Sequence, residues 1–207
     1  MKILYLGLNF ENFKEKEKAY HYPIIKVVPK TKYLRRYLRD LPIITHYIFT
    51  SPRSVSIFCD YLLNVNKLYF LKNKFIITIG KSTQRTLAGY NINSTIPKVS
   101  TQEGIVELLK SIPLENSFFL IPRSSMARQE IDCFFDEERI NYITLDIYDT
   151  CINRKLEKID LNDFKEVFFT SPSTVKAFVE IFKNIPSHLI FKAIGPVTKQ
   201  AIEKNLM

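Results

Sequence analysis

The chain has 207 residues, 46% apolar and 25% charged, and its 30 Lys and Arg against 21 acidic residues leave a net charge of +9. These proportions suit one large or two small globular domains and exclude collagen, coiled coil and wholesale disorder. With only five glycines, glycine-rich cofactor loops are scarce, and the cationic excess predicts an acidic partner: nucleic acid, an anionic membrane surface, or a small molecule rich in carboxylate or phosphate.

In chain order, the apolar run Met1–Leu8 is followed at once by charges from Glu11 to Lys18, with no small-residue cleavage site. It therefore reads as a first β-strand rather than a signal peptide. The basic run Lys30–Arg39 places Leu34, Tyr37, Leu38 and Leu41 on one helix face, so its arginines form a solvated face. Tyr47–Thr50 is a β-branched and aromatic strand. Ser51 and Pro52 follow as helix cap and first helical residue, and Val55, Phe58, Cys59 and Leu62 recur at helical spacing. Phe75–Ile79 is the next strand; Gly80 supplies the turn into a helix through Thr83, Leu87 and Ala88. Ser100–Glu103 has the form of a capping box before Ile105, Leu108 and Leu109. Ser117–Ile121 is a strand, Pro122–Arg128 leads into a helix carrying Ile131, Phe134 and Phe135, and Tyr142–Tyr148 is a more alternating strand. Val167–Thr170 then enters Ser171-Pro172 and a helix with Val175, Phe178, Val179 and Phe182; Leu189–Ile194 passes through Gly195 and Pro196 into a helix with Thr198 and Ile202. Strands alternating with helices imply an α/β fold with parallel sheets covered on both faces. No apolar stretch approaches the ~18–20 residues of a membrane helix.

The chain also repeats itself. Phe49-Thr-Ser-Pro-Arg-Ser-Val-Ser-Ile-Phe58 matches Phe169-Thr-Ser-Pro-Ser-Thr-Val-Lys-Ala-Phe178, and Ile79-Gly-Lys-Ser-Thr83 matches Ile194-Gly-Pro-Val-Thr198, in the same order. Two copies about 120 residues apart predict two similar lobes rather than a solenoid.

Ligands of parallel sheets bind beyond the carboxyl ends of the strands. There the repeats offer hydroxyls, glycine backbone and fresh helix N-termini, which favour anions. Arg53, Lys81 and Arg123 are cations beside these turns, and two facing lobes would line a cleft for an anion-rich ligand. The cysteines Cys59, Cys133 and Cys151 form neither a disulfide framework nor a Cys-x-x-Cys pair, and read as buried thiols of a cytoplasmic protein. His21, His46 and His188 lie far apart, so no metal is expected. Neither a phosphate-binding Gly-x-x-x-x-Gly-Lys-Ser/Thr nor a Gly-x-Ser-x-Gly elbow occurs, and no nucleic-acid recognition motif accompanies the charge. Any catalysis then rests on holding a reactive substrate in place.

The ordered set of Phe-Thr-Ser-Pro-Arg, Ile-Gly-x-x-Thr, Thr101-Gln-Glu-Gly104, Pro122-Arg123 with Arg128, Tyr148-x-Thr150 and the second Phe-Thr-Ser-Pro and Ile-Gly-Pro-x-Thr resembles uroporphyrinogen-III synthase along nearly the whole chain. The resemblance implies two flavodoxin-like lobes joined by a two-stranded linker: residues 1–28 plus 150–207 as one discontinuous lobe, 31–145 as the other, with linkers near 24–30 and 144–151. It implies a cytoplasmic, monomeric, cofactor-free enzyme of heme biosynthesis that cyclises hydroxymethylbilane with inversion of the last pyrrole ring and loss of water, without nucleic-acid or membrane partners. By resemblance Tyr148 assists the departing hydroxyl, while Thr50, Ser51, Arg53, Gly80, Thr83, Arg123, Thr170, Ser171, Gly195 and Thr198 fall at substrate-binding positions. Two departures stand out: Tyr5-Leu6-Gly7 occupies the place where the family commonly has Thr-Arg, and relatives continue past Met207 through a further strand and helix, so a reduced C-terminal lobe is expected. These departures keep a second reading open, a non-catalytic two-lobe binder of an anionic small molecule.

Overall fold

The computed structural model of the chain describes residues 2–11 and 13–206; Met1, Asn12 and Met207 lie outside the described residues, so the expected first strand is followed from Lys2. By its internal contacts the chain divides into two compact units, Met1–Val27 with Thr150–Met207 (unit 1) and Val28–Asp149 (unit 2). Unit 1 carries β1 (Lys2–Tyr5), β2 (Ala19–His21), β8 (Phe164–Phe169) and β9 (Ile190–Ala193) in the order β2-β1-β8-β9, every neighbouring pair parallel. The sheet holding unit 2's strands is ordered β3-β7-β6-β4-β5, from β3 (Ile25–Pro29), β4 (His46–Phe49), β5 (Phe75–Thr78), β6 (Phe118–Ser124) and β7 (Asn141–Ile152). Here β4 runs parallel to β5 and β6, and β6 parallel to β7. The chain leaves unit 1 within β3 and returns within β7.

The helices are α1 (Pro52–Asn64), α2 (Lys81–Ala88), α3 (Gln102–Leu109), α4 (Glu130–Glu137), α5 (Pro172–Ile181) and α6 (Pro196–Leu206). Ser51 and Ser171 take extended backbone (φ −159° and −165°) and accept the amide hydrogens of Ser54 and Thr174, with proline next in line. The two Ser-Pro pairs thus start helices for the local reason read from sequence: an orphan amide is satisfied and φ is fixed in advance. Each helix then buries its apolar stripe, Val55, Phe58, Cys59 and Leu62 on α1, and Val175 and Phe178 on α5. Complete burial of a Phe or Leu is worth about 1.5–3 kcal/mol, so each stripe outweighs helix propensity in fixing its helix. Unit 1 closes its core around Leu4, Leu6, Ile24, Val167, Phe169, Val175 and Phe178, and unit 2 around Ile48, Ile77, Ile105, Phe119, Ile121 and Phe135. No helix among the described residues is long and apolar enough to cross a membrane.

Several local expectations need correction. The basic segment is a 3₁₀ helix, Thr31–Arg39, which brings Leu34 and Tyr37 into line at a spacing of three; Leu34 is its buried residue. The capping box is out by one position: Thr101, not Ser100, caps α3 by accepting the Gly104 amide, and the third helical residue is then glycine, which has no side chain to reach back. β6 continues through Pro122 to Ser124, because its pairing with β4 covers only Phe119 and Leu120 while β7 follows it further. Gly80 has extended backbone (φ 177°), so its turn needs no glycine; what needs one is Ser100, whose Oγ lies 2.6 Å from where a Cβ would sit. Of the three cysteines only Cys59 is buried; Cys133 is exposed and Cys151 half-buried.

Glycine scarcity shows at the helix ends. α1 and α4 both close with the paired bonds of a Schellman motif, Lys67 N–H to Leu62 C=O with Asn66 N–H to Leu63 C=O, and Ile140 N–H to Phe135 C=O with Arg139 N–H to Asp136 C=O. The left-handed position is taken by Asn66 (φ 54°) in one and Arg139 (φ 55°) in the other.

Candidate active site

In unit 2, the carboxyl ends of β4 to β7 and the helix starts that follow them carry eight of the residues singled out from sequence. Thr50 directly follows β4 and is half-buried. Ser51 caps α1, its Oγ accepting Ser54 N–H at 3.0 Å. Tyr148 comes from β7, and its hydroxyl lies 3.1 Å from Ser51 Oγ, although the two are 97 positions apart. A register shift between Arg123 and Ser124 sets Ser124 opposite Tyr148, the kind of bulge that re-aims a side chain. Tyr148 is 7% exposed. The backbone on either side of it is tied down: Ser125 N–H donates to Tyr148 C=O at 3.1 Å, and Asp149 takes Lys30 Nζ at 2.7 Å and the Ser125 hydroxyl at 2.5 Å. Lys30 first, then Ser125, hold the Asp149 carboxyl below its ordinary range.

The remaining candidates in this unit divide by charge. Arg123 is committed: Nη1 meets Asp132 Oδ2 at 2.5 Å and Nε faces Asp146 Oδ1 at 3.5 Å, with its side chain 12% exposed. It therefore braces β6 against α4 and β7, and its charge is answered within the unit. Arg53, half-buried, and Lys81, exposed, take part in none of the ion pairs among the described residues. They are the strand-end cations left to meet an anion. Thr83 is buried in the first turn of α2, and Gly80 packs beneath Ser100. Arg128, also named from sequence, grips Glu103 with two hydrogen bonds of 2.6 and 3.1 Å and holds that carboxyl down to about 2. A groove of about 650 Å³ lies at the start of β6 and β7 against Leu114, Ser117, Phe134 and Asn141, and none of the candidates lines it.

In unit 1 the same strand-end positions carry Thr170, Ser171, Gly195 and Thr198. Ser171 and Thr174 make a reciprocal capping box, Thr174 N–H to Ser171 Oγ at 3.4 Å and Ser171 N–H to Thr174 Oγ1 at 3.3 Å. A Cβ on Gly195 would meet nothing within 4 Å, and the residue borders a groove of about 190 Å³ with Phe191, Lys199 and Ile202. Thr198 is buried in the first turn of α6. Where the first strand ends, the described residues form an aromatic wall. Tyr5 donates its hydroxyl to Asn9 C=O at 2.8 Å and its ring meets Phe13 at 4.5 Å, while His21 Nε2 lies 2.8 Å from Gly7 C=O and its ring stacks on Phe10 at 4.8 Å. Gly7 itself was missed from sequence. Thr170 Cγ2 and Tyr5 Oη lie 2.6 and 2.7 Å from where its Cβ would be, so glycine lets the end of β1 lie against Thr170. The available signal was a glycine two residues past a strand in a chain with so few.

Comparison with known proteins bears on these faces. Residues 14–207 match the family described as Uroporphyrinogen-III synthase HemD. Uroporphyrinogen-III synthase of Chlorobaculum parvum is 26% identical over 80% of this chain and 72% of its own length. Among solved structures, uroporphyrinogen-III synthetase from Helicobacter pylori superposes with a TM-score of 0.72 at 20% identity, covering all of this chain and 89% of that one. A mutant uroporphyrinogen III synthase from Thermus thermophilus gives 0.71 at 15% identity, over 98% and 88%. At these identities the structural likeness speaks for the fold.

Proposed function

The chain belongs to the uroporphyrinogen-III synthase family, and from that premise we propose that it cyclises hydroxymethylbilane to uroporphyrinogen III with inversion of the last pyrrole ring, and that Tyr148 is the group assisting loss of the hydroxyl. The observation that supports this reading is the Tyr148 hydroxyl, tethered 3.1 Å from Ser51 Oγ at the strand ends. Hydroxide is a poor leaving group. As the C–O bond breaks, the phenolic hydrogen passes to the departing oxygen, water leaves, and the electron pair of the neighbouring pyrrole nitrogen stabilises the azafulvene cation. Attack on that cation by the substituted carbon of the last ring gives a spiro intermediate, which reopens and recloses with the ring inverted. The proton released when the closing pyrrole regains aromaticity restores the phenol, so the sum is loss of one water. The substrate's acetate and propionate groups suit the Arg53 and Lys81 side chains and the backbone amides and hydroxyls at Thr50, Ser51, Gly80 and Thr83 in unit 2; in unit 1, taken by itself, Thr170, Ser171, Gly195 and Thr198 offer hydroxyls and strand-end backbone to an anion. Arg123 serves by fixing the strand that runs beside Tyr148. We assign the reaction to a single chain in the cytoplasm, for which sedimentation at 24.3 kDa is the check on oligomeric state. The non-catalytic binder rests on the two departures alone and is not favoured by the family match.

The test is incubation with freshly generated hydroxymethylbilane and chromatographic separation of the product isomers. The type III isomer is expected, and Tyr148→Phe should lower kcat at least ~10²-fold with little change in KM, since the bond it loses matters in the transition state. Type I isomer alone from the unaltered protein overturns the activity, and an unchanged kcat in Tyr148→Phe removes Tyr148 from it.

A further inference from the structure

A hydroxyl can donate one hydrogen, and the network around Tyr148 leaves open where each hydrogen goes. Ser54 is fully buried. It donates its hydroxyl to Ser51 C=O at 2.8 Å and its amide to Ser51 Oγ at 3.0 Å. One lone pair of Ser51 Oγ is thereby used. Its single hydrogen has two receivers, Ser54 Oγ at 3.2 Å and Tyr148 Oη at 3.1 Å. If it goes to Ser54, the phenolic hydrogen turns inward onto the second lone pair of Ser51 and Tyr148 presents only lone pairs to a ligand. If it goes to Tyr148, the phenolic hydrogen is free to point outward while the bond to Ser51 is kept, the arrangement in which the phenol can serve a departing hydroxyl without giving up that bond.

We propose that Ser51 is the positioning residue of the reaction, donating to Tyr148 Oη so that the phenolic hydrogen faces the substrate and the phenolate left behind keeps a hydrogen bond. The proposal rests on the assignment of Tyr148 as the acid. Capping alone does not account for the contact. Ser171, the twin of Ser51, caps α5 in the same way, and among the described residues its hydroxyl meets Ser173 at 2.9 Å and Thr174, and no tyrosine. The bond to Tyr148 is added to the cap in one copy of the repeat only.

The experiment measures kcat and KM for type III product in Tyr148→Phe, Ser51→Gly, Ser51→Thr and the Ser51→Gly/Tyr148→Phe double variant, with a melting curve for each. Glycine is chosen because it caps a helix nearly as well as serine, so the fold is kept while the hydroxyl goes. Ser51→Gly should lower kcat about tenfold with KM within about twofold, the usual scale for one hydrogen bond felt only in the transition state. Ser51→Thr should recover to within about threefold of the parent, and the double variant should be no slower than Tyr148→Phe. If Ser51→Gly costs the same factor with and without the Tyr148 hydroxyl, or acts on KM alone, Ser51 is a cap or a substrate contact and the proposal is overturned while the role of Tyr148 stands. If Tyr148→Phe turns over normally, that role falls and the proposal with it.

Discussion

Replacing a glycine inside a helix by alanine ordinarily stabilises a protein by about 1 kcal/mol. At Gly104, the third residue of α3, the structure predicts the opposite sign. A Cβ there would sit 2.0 Å from the carbonyl oxygen of Val99 and 3.0 Å from its carbon. Contacts under 3.0 Å are not sustained, so the carbonyl must retreat by about 1 Å. It cannot do so freely, because the same oxygen accepts the Thr101 amide at 2.8 Å, and Thr101 Oγ1 is the cap that receives Gly104 N–H at 3.1 Å. Loss of a cap costs ~1 kcal/mol and overpacking ~1–3 kcal/mol; less the propensity gain, Gly104→Ala should destabilise by about 2 kcal/mol. For a chain of this length that is a fall in Tm of roughly 4–8 °C. Urea and thermal unfolding of Gly104→Ala against the parent measure it. Gly89→Ala is the control: its Cβ would meet Thr86 C=O at 3.2 Å and Arg85 C=O at 4.0 Å, with nothing under 3.0 Å, and it should stay within about 0.5 kcal/mol. A Gly104→Ala protein as stable as the parent would refute the reasoning.

Arg139→Gly should stabilise by about 0.5–1 kcal/mol, because the left-handed position closing α4 is free of strain only for glycine; Arg139→Ala should show no such gain in the same melting experiment. Arg128 lowers the Glu103 carboxyl from 4.5 to about 2, so the pair's contribution is present above pH 4.5 and lost as the pH falls toward 2. With the side chains 55% and 46% exposed it is worth at most ~0.5 kcal/mol, and the gap in urea midpoint between the parent and Glu103→Gln should close over that window. Burial pushes the Cys59 thiol up to about 12 while Cys133 is exposed, so a disulfide reagent should label Cys133 within minutes and Cys59 only on unfolding; fast labelling that survives Cys133→Ser, with Cys151 also replaced, would contradict this.

What could be read in advance depended on how far apart the partners are. Ser51-Pro52 and Ser171-Pro172 start helices through bonds that span three residues, and the strands before them are continuous apolar runs, so the α/β alternation followed from neighbours alone. Thr101 shows the limit of such reading: two adjacent hydroxyl residues both suit a cap, and the choice between them falls to the tertiary contacts of Ser100 over Gly80 and Gly104 against Val99. Arg123 looked like a free cation because Asp132 lies on the next helix and Asp146 on the next strand, and they come into range only when α4 packs on β6 and β7 pairs with it. The Ser51–Tyr148 contact, which organises the candidate site, had no local signature, since it depends on β7 being laid down beside β6 with a one-residue bulge.

The two sheets can be laid over one another through the sequence repeat, and the result is not one lobe per copy. If β8 and β9 correspond to β4 and β5, as their shared motifs require, then by place in the sheet β1 and β2 correspond to β6 and β7. Leaving β3 aside, each unit therefore has two halves of two strands, β4 and β5 with β6 and β7 in unit 2, β8 and β9 with β1 and β2 in unit 1. Unit 2 draws its halves from adjoining stretches and is complete once Asp149 has been made; unit 1 draws them from the two ends. During synthesis β1, with Ile3, Leu4 and Tyr5 buried in the finished protein, waits for β8 as its partner. Until then its open edge needs shielding. A chain cut short soon after β7 should accordingly keep unit 2 while leaving β1 adhesive, so a stop that spares every residue of unit 2 would do its damage at a strand made long before it.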